Sequence, residues 1–418
     1  MRIFGLDVHR TFAEVAVLDE SGVRSTGRID LTAAALHAFG HQLTQEDDVV
    51  LEATCNTHAI ARLLRAYARR VVVSNPLRTR AIAEAKVKTD KIDATVLAEL
   101  HASGFLPEVW SPDEGTEQLR RQIARRAQIV QHRTRLKNRI HAVLHRNLLP
   151  RCPATHLFGQ KDRAWLAMQP LPGDERATIE SVRRELHHAG EDLAAIDRDL
   201  AQVALAHPTA QRLMTIPGVD MAVALGMVAA IGPITRFRSP QKLVSYLGLN
   251  PRVRQSGLQP AHYGRVTKQG RAHARGMLVE AAWVTAKTPG PLRAFFLRIR
   301  GRRGEQIAAV ATARKLAALV WYLLTREQDY AWGRPSLWAQ KRRSLELRAG
   351  LPARRGQRGP THGYNLRERR VQEREIGTQA EHTYQTLVAH WRPQRPGRST
   401  PKARPSGTRR AVSGDTTV

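Results

Sequence analysis

Near the N-terminus the hydrophobic positions alternate between two periods. Residues 2–8 and 13–18 are short apolar stretches separated by polar residues, and Ser21-Gly22 is a turn before a third stretch at about 23–29, so three antiparallel strands are predicted. Leu31 to Phe39 then repeats at helical spacing, and Val49-Val50-Leu51 is a continuous apolar run. A second helix is predicted at about 57–69, ahead of the run Val71-Val72-Val73. Short continuous runs between helices mark parallel strands covered on both faces.

Further along, helical periods dominate. From about 113 to 147 the apolar positions Leu119, Ile123, Ile129, Leu136, Ile140, Val143 and Leu144 are interleaved with arginines, which predicts one long helix with a packing face and a phosphate-facing side, ended by Pro150 and Pro153. Residues 175–206 carry Ile179, Val182, Leu186, Leu193, Ile196, Leu200 and Val203 at spacings of three, four and seven. That suits a helical hairpin or a short coiled coil for self-association, or plain packing within the chain. Leu213 to Val219, followed by Ala222 to Met227, has the pattern of a helix-hairpin-helix. Residues 250–257 are predicted as a loop and 278–325 as helical. After about 331 the pattern fades: 88 residues hold 9 Gly and 7 Pro, so residues 331–418 are expected to be a basic, disordered tail whose Trp338, Tyr364, Tyr384 and Trp391 can stack on bases.

Three antiparallel strands followed by βαβα is the order of a ribonuclease H-like domain. The expected architecture is therefore α/β plus α. It comprises a ribonuclease H-like domain over 1–108, a basic helix and coiled-coil region over 109–207, a mainly helical domain over 208–330, and the tail. In such a sheet Asp7 on the first strand and Glu52 at the end of the fourth lie on adjacent central strands. Asp90 and Asp93, three residues apart at a helix start, share one helix face and can point at one cation. Singly, each acid is an ordinary strand end or helix start. Jointly, Asp7, Glu52, Asp90 and Asp93 form a candidate site for Mg²⁺, expected as two ions, suited to phosphodiester chemistry.

Charge points the same way. The formal net charge is +30, from 67 Lys+Arg against 37 Asp+Glu. Residues 331–418 account for 19 of the basic and 6 of the acidic residues, so the first 330 residues are strongly basic too. Polyphosphate chains are the expected counter-surface. Candidate contacts are Arg125, Arg126, Arg135 and Arg139 on the long helix, Gly218 in the Pro217-Gly218 turn, and Arg252, Arg254, Lys268, Arg271 and Arg275 around Ser256-Gly257. Cys55 and Cys152 are too few for a disulfide framework, and no Cys/His cluster has zinc spacing. With no membrane span or signal peptide expected, a cytoplasmic, nucleoid-associated protein is predicted.

Gly5-Leu6-Asp7-Val8-His9, Leu51-Glu52-Ala53-Thr54 and Lys88-Thr89-Asp90-Lys91-Ile92-Asp93-Ala94 resemble the signatures of the DEDD transposases of bacterial insertion sequences, which carry a RuvC-like N-terminal domain and are bridge-RNA-guided recombinases. Gly248-Leu249-Asn250-Pro251-Arg252, then Ser256-Gly257, Lys268-Gln269-Gly270 and Arg271, is similar to the C-terminal domain of that family, with Ser256 on its nucleophilic serine. Cys55, His273 and Ala274 depart from the pattern. The resemblance covers roughly residues 1–325. It implies a DNA transposase or recombinase whose Ser256, assisted by the four acids and Mg²⁺, cleaves and rejoins donor and target DNA. It also implies a structured guide RNA and a homodimer or tetramer. Two other readings stay open: a RuvC-like nuclease that uses water, and a silent nucleic-acid-binding remnant of a mobile element.

Overall fold

The structure is a computed structural model and describes residues 1–82, 89–153, 157–257, 259–352 and 367–390. Lys88 and the tail residues Tyr364 and Trp391 lie outside these. The chain divides into two compact units, Met1–Glu117 and Gln118–Val418.

The first unit is built on six strands in the order β3-β2-β1-β4-β5-β6. β1 (Ile3–Val8), β2 (Phe12–Asp19) and β3 (Gly22–Asp30) form an antiparallel meander, and β4 (Asp48–Glu52) and β5 (Arg70–Ser74) add in parallel beside β1. The short β6 (Glu108–Val109) closes the edge antiparallel to β5. Strand alternation splits the side chains between two faces. Phe4, Leu6, Val49, Leu51 and Val73 pack with Leu36 and Phe39 of α1 (Ala33–Gly40) and with Ile60 and Leu64 of α2 (Thr57–Leu64). On the opposite face Ile3, Val50 and Val72 meet Leu97 and Ala98 of α4 (Asp90–Ala102); α3 (Pro76–Ile82) precedes that helix.

The seating of α4 depends on Gly5. A Cβ at that position would stand 2.0 Å from the Ala94 carbonyl oxygen, so only glycine lets the helix lie this close to β1. The far end of α4 is tied down by His101, whose Nε2 is 2.8 Å from Asp48 Oδ2, and Arg69 donates to both Asp48 oxygens at 2.9 and 2.8 Å. Burial works against the ionised form of Asp48, yet Arg69 and His101 hold its carboxyl below the usual range.

Among its described residues the second unit is helical apart from one hairpin and short connections. Helix α5 (Glu114–Arg146) and helix α7 (Gly173–Ala206) are the long helices expected from the apolar spacing, with α6 (Gln160–Ala167) between them. Leu136, Ile140, Val143 and Leu144 of α5 bury against Ile179 and Val182 of α7, while Ile196 and Leu200 enter a larger core. The α7 seam expected for a coiled coil is therefore covered by the chain itself, and 109–207 does not stand as a separate unit. That core continues through α8 (Pro208–Met214), α9 (Met221–Ile231), α10 (Pro240–Tyr246), α11 (Ala272–Thr285), α12 (Pro291–Arg303) and α13 (Glu305–Arg326). α13 is long and apolar enough to span a bilayer by length and composition. Half of that window is buried here, as in a core helix.

The expected disordered tail is partly folded. α14 (Pro335–Arg348) buries Leu345 and packs on α7, and α15 (Arg367–His390) packs on α12. Polar and ionic contacts add to a thin apolar seam: Leu345 and Trp338 of α14 join the large core and Ala380 of α15 is buried, while Glu381 pairs with Arg293 at 3.1 Å and accepts from the Gly290 N–H, and Glu373 accepts from the Ser336 N–H at 2.9 Å. Low apolar content hid these helices, because a few apolar contacts and polar partners remote in sequence together supply their docking.

Candidate active site

Asp7 sits near the end of β1 on the α4 face, with its side chain 17% exposed. β1 and β4 pair in parallel through Leu6 and Leu51, which puts Asp7 and Glu52 at the next register position of neighbouring strands and on the same face. Thr89 caps α4, its hydroxyl accepting from the Ile92 N–H, so Asp90 and Asp93 occupy the first turn where the helix dipole favours anions. Because Gly5 lets α4 down onto β1, that first turn arrives beside Asp7.

The acids feel one another. Burial pushes the Asp7 carboxyl above its usual value, and the negative charges of Asp93 and Asp90 push it further, against the pull of His9. His9 lies between two of them, its Nε2 3.2 Å from Asp7 Oδ2 and 3.3 Å from Asp90 Oδ2, with its ring stacked on Phe12 at 4.6 Å. Asp7, His9 and Asp90 each offer a ligand atom, and these lie within 4.8 Å of one another. Hard carboxylate oxygens crowded at mutual electrostatic cost are the donor set a divalent cation relieves, and an imidazole edge already occupies the gap between two of them.

Three residues of this neighbourhood escaped the sequence reading. His9 shares strand parity with Asp7, a signal present in the quoted motif. Glu14 is opposite Asp7 across the β1–β2 ladder and 1% exposed, with Arg28 Nε donating to it at 2.8 Å. Arg28 also comes within 4.0 Å of Asp90 and stacks on Phe12 at 4.5 Å. Their proximity depends on strand register, which no spacing in the sequence announces.

The other candidates are in the second unit. The segment expected as a loop over 250–257 is in part a hairpin: β7 (Pro251–Arg254) pairs with β8 (His262–Val266), and Ser256-Gly257 lies in the exposed connection, with Gly257 at φ +55°. Arg252 and Arg254 are exposed on the strand that leads into it, whereas Lys268, also exposed, lies past β8 at the base of the hairpin, its N–H donating to the Gly248 carbonyl. Arg271 is exposed and donates to Tyr246 Oη at 2.9 Å, while Arg275 donates to the carbonyls of Leu247 and Lys268 and so braces the loop from inside. On α5, Arg125, Arg135 and Arg139 are exposed, whereas Arg126 is paired with Asp197 at 2.6 Å.

The Pro217-Gly218 turn takes a different part from the phosphate contact expected of it. Gly218 has φ +83° and faces the backbone of α11, where a Cβ would stand 2.5 Å from the Ala281 carbonyl oxygen. Thr285 donates to the Pro217 carbonyl, Lys341 Nζ donates to the carbonyls of Met214, Ile216 and Val219, and Asp220 caps the α9 N–H groups. Packing and internal hydrogen bonds account for this turn, and a carboxylate sits where a phosphate would go.

An antiparallel meander extended by parallel strands, with acids gathered at the C-terminal edge of its central pair, defines the ribonuclease H-like class of enzymes that act on phosphodiesters. Residues 4–147 match the model of DEDD transposases of the IS110 group, and residues 210–297 match the transposase family IS116/IS110/IS902. The chain belongs to this family of DNA transposases. It is similar to the transposase for insertion sequence element IS1111A of Coxiella burnetii, 28% identical over 252 residues that cover 59% of this chain and 69% of the relative. The transposase for IS1328 of Yersinia enterocolitica is 25% identical over 286 residues, covering 66% and 84%. The pilin gene-inverting protein of Moraxella bovis is 24% identical over 306 residues, covering 69% and 84%.

Proposed function

We propose that this transposase transfers phosphodiesters through a serine nucleophile working with a metal-bearing acidic site. The observation that carries the reading is the meeting of Asp7 and Asp90 at His9, with Asp93 in the same first turn of α4 and Glu52 in register beside Asp7. Asp7, Glu52, Asp90 and Asp93 would hold divalent ions, Mg²⁺ by their oxygen chemistry. When bound, such ions stabilise charge on the attacking and leaving oxygens.

In the proposed step Ser256 Oγ attacks a DNA phosphorus and gives up its proton as the bond to the 3′ oxygen breaks. The leaving strand takes a proton to become a free 3′ hydroxyl, and the 5′ phosphate stays on the serine. A 3′ hydroxyl from another strand then attacks, the bond to Oγ breaks, and the serine regains its proton. Arg252 and Arg254 stand exposed on the strand leading into the serine, where they would balance phosphate charge. Exposed Arg125, Arg135 and Arg139 supply a row of cations along α5 for backbone contact. The exposure of Ser256 suits pairing with an acidic site on the same or another copy of the chain, in a dimer or tetramer. A structured guide RNA would account for a net charge of +30, and the reaction would take place on DNA in the bacterial cytoplasm.

The test is covalent trapping of cognate element DNA. Ser256→Ala should abolish the protein–DNA adduct while leaving DNA binding intact, and Asp7→Asn should lower adduct formation by on the order of 10²–10³-fold or more. Cleavage that persists in Ser256→Ala but not in Asp7→Asn would mean that water, not the serine, attacks.

A further inference from the structure

The second unit contains a groove that the proposed chemistry does not use. It has a volume of about 1210 Å³ and runs between the β7–β8 hairpin, α10, the end of α12 and α13. Val244, Leu249, Val310 and Ala318 contribute apolar lining, and three aromatic side chains stand along it. Tyr263 is 69% exposed, Tyr322 is 42% exposed, and Phe295 lies with Lys315 Nζ 5.7 Å from its ring centre. Ile307 beside them is 48% exposed. Five cations line the same groove, namely Arg265, Lys268, Arg303, Arg314 and Lys315, and among the described residues none of its lining is acidic. Around the hairpin a second groove of about 430 Å³ is lined by Arg252, Arg254 and His262, and shares Arg265 and Lys268 with the first. Cations thus continue without a break from the large groove to the strand that leads into Ser256.

Apolar lining with exposed aromatics and cations is not how a duplex is gripped, because paired bases hide their faces and present only phosphates and edges. It is how an unpaired strand is held: base faces lie on rings, and phosphates lie on cations. The chain's own C-terminal stretch is an unsuitable occupant, since residues 391–418 hold seven Lys+Arg and one acid and are repelled by the same cations.

We infer that this groove is a binding site for single-stranded nucleic acid, with bases on Tyr263 and Tyr322 and phosphates on Arg265, Arg303, Arg314 and Lys315, running toward Ser256. The inference rests on the proposed function only for its direction, toward the serine; binding itself needs no chemistry.

The test is fluorescence anisotropy of the full chain, without added metal, on unpaired and duplex oligonucleotides of equal length. The comparison is between the unaltered protein, Tyr263→Ala/Tyr322→Ala and Arg314→Ala/Lys315→Ala. Each pair should weaken single-strand binding by roughly tenfold or more and leave duplex binding within about twofold. Because these side chains are exposed, thermal melting should be unchanged; a second probe, quenching of 2-aminopurine placed in the oligonucleotide, should be lost in the tyrosine pair. Single-stranded DNA and RNA arms identify the source: preference for RNA assigns a guide, preference for DNA an unwound substrate strand. Unchanged single-strand affinity and quenching in both variants would overturn the inference, as would equal losses on duplex. Because no cleavage is measured, failure of Ser256 as nucleophile would leave this outcome standing, and the reverse holds too.

Discussion

Asp7 shows how a single side chain is held at an electrostatic cost. Half-buried and flanked by Asp90 and Asp93, its carboxyl ionises less readily than the 3.8 of a free group. A raised carboxyl contributes its full stability below that unfolded value and loses it as pH climbs through the folded one, so at neutral pH the metal-free protein carries a penalty. Asp7→Asn removes the charge and should melt above the unaltered protein at pH 7 without metal, an advantage that shrinks toward pH 4. Mg²⁺ should raise the melting temperature of the unaltered protein more than that of the variant. Differential scanning calorimetry from pH 4 to 7, with and without Mg²⁺, checks the sign; a variant less stable at pH 7 would mean that the acids are not crowded.

At the scale of elements, the placement of α4 decides whether the acids meet. Gly5 allows its close approach, and His101 with Asp48 anchors its other end. Gly5→Ala puts a methyl within 2.0 Å of the Ala94 carbonyl oxygen and has no flexible side chain to push aside. It should cost about 1–3 kcal/mol by overpacking and, through a displacement of about an ångström, lower activity by on the order of 10²-fold. Strand-transfer assays with circular dichroism as the folding control would show this. Full activity in Gly5→Ala would mean that α4 can shift without moving Asp90 and Asp93. The helices and strands themselves were legible: the predicted long helix at about 113–147 is Glu114–Arg146, and that at 175–206 is Gly173–Ala206. The β7–β8 hairpin was not, because its strands are four and five residues long and almost wholly exposed, too short for alternation to mark a half-buried face.

Across the whole molecule, residues remote in sequence complete one another's hydrogen bonds. Lys341 of α14 donates to three carbonyls of the 214–219 turn, and burial pushes its ammonium down to about 8, leaving it mostly protonated at neutral pH. Lys341→Met keeps the length and strands three acceptors, so the second unit should lose about 1–3 kcal/mol for each carbonyl left dry, an upper bound if water enters. Urea unfolding of the full chain measures it. A loss below about 1 kcal/mol would mean that α14 is an ornament on the core instead of its clasp.

The order of strands and helices in the first unit and the long helices after it follow from the chain alone, since periodicity records which side chains must be buried, and the four acids could be picked out as candidates because paired carboxylates stand out among 67 cations. Tertiary structure decided the rest. Register put Glu14 opposite Asp7 and parity turned His9 toward the acids; packing turned Gly218 inward; and a few buried apolar residues with ionic contacts docked α14 and α15 from a segment with few apolar residues. Some of these partners are near in sequence and others remote, but in each case register or packing chooses the partner, and local pattern carries no information about which partner a polar group will find.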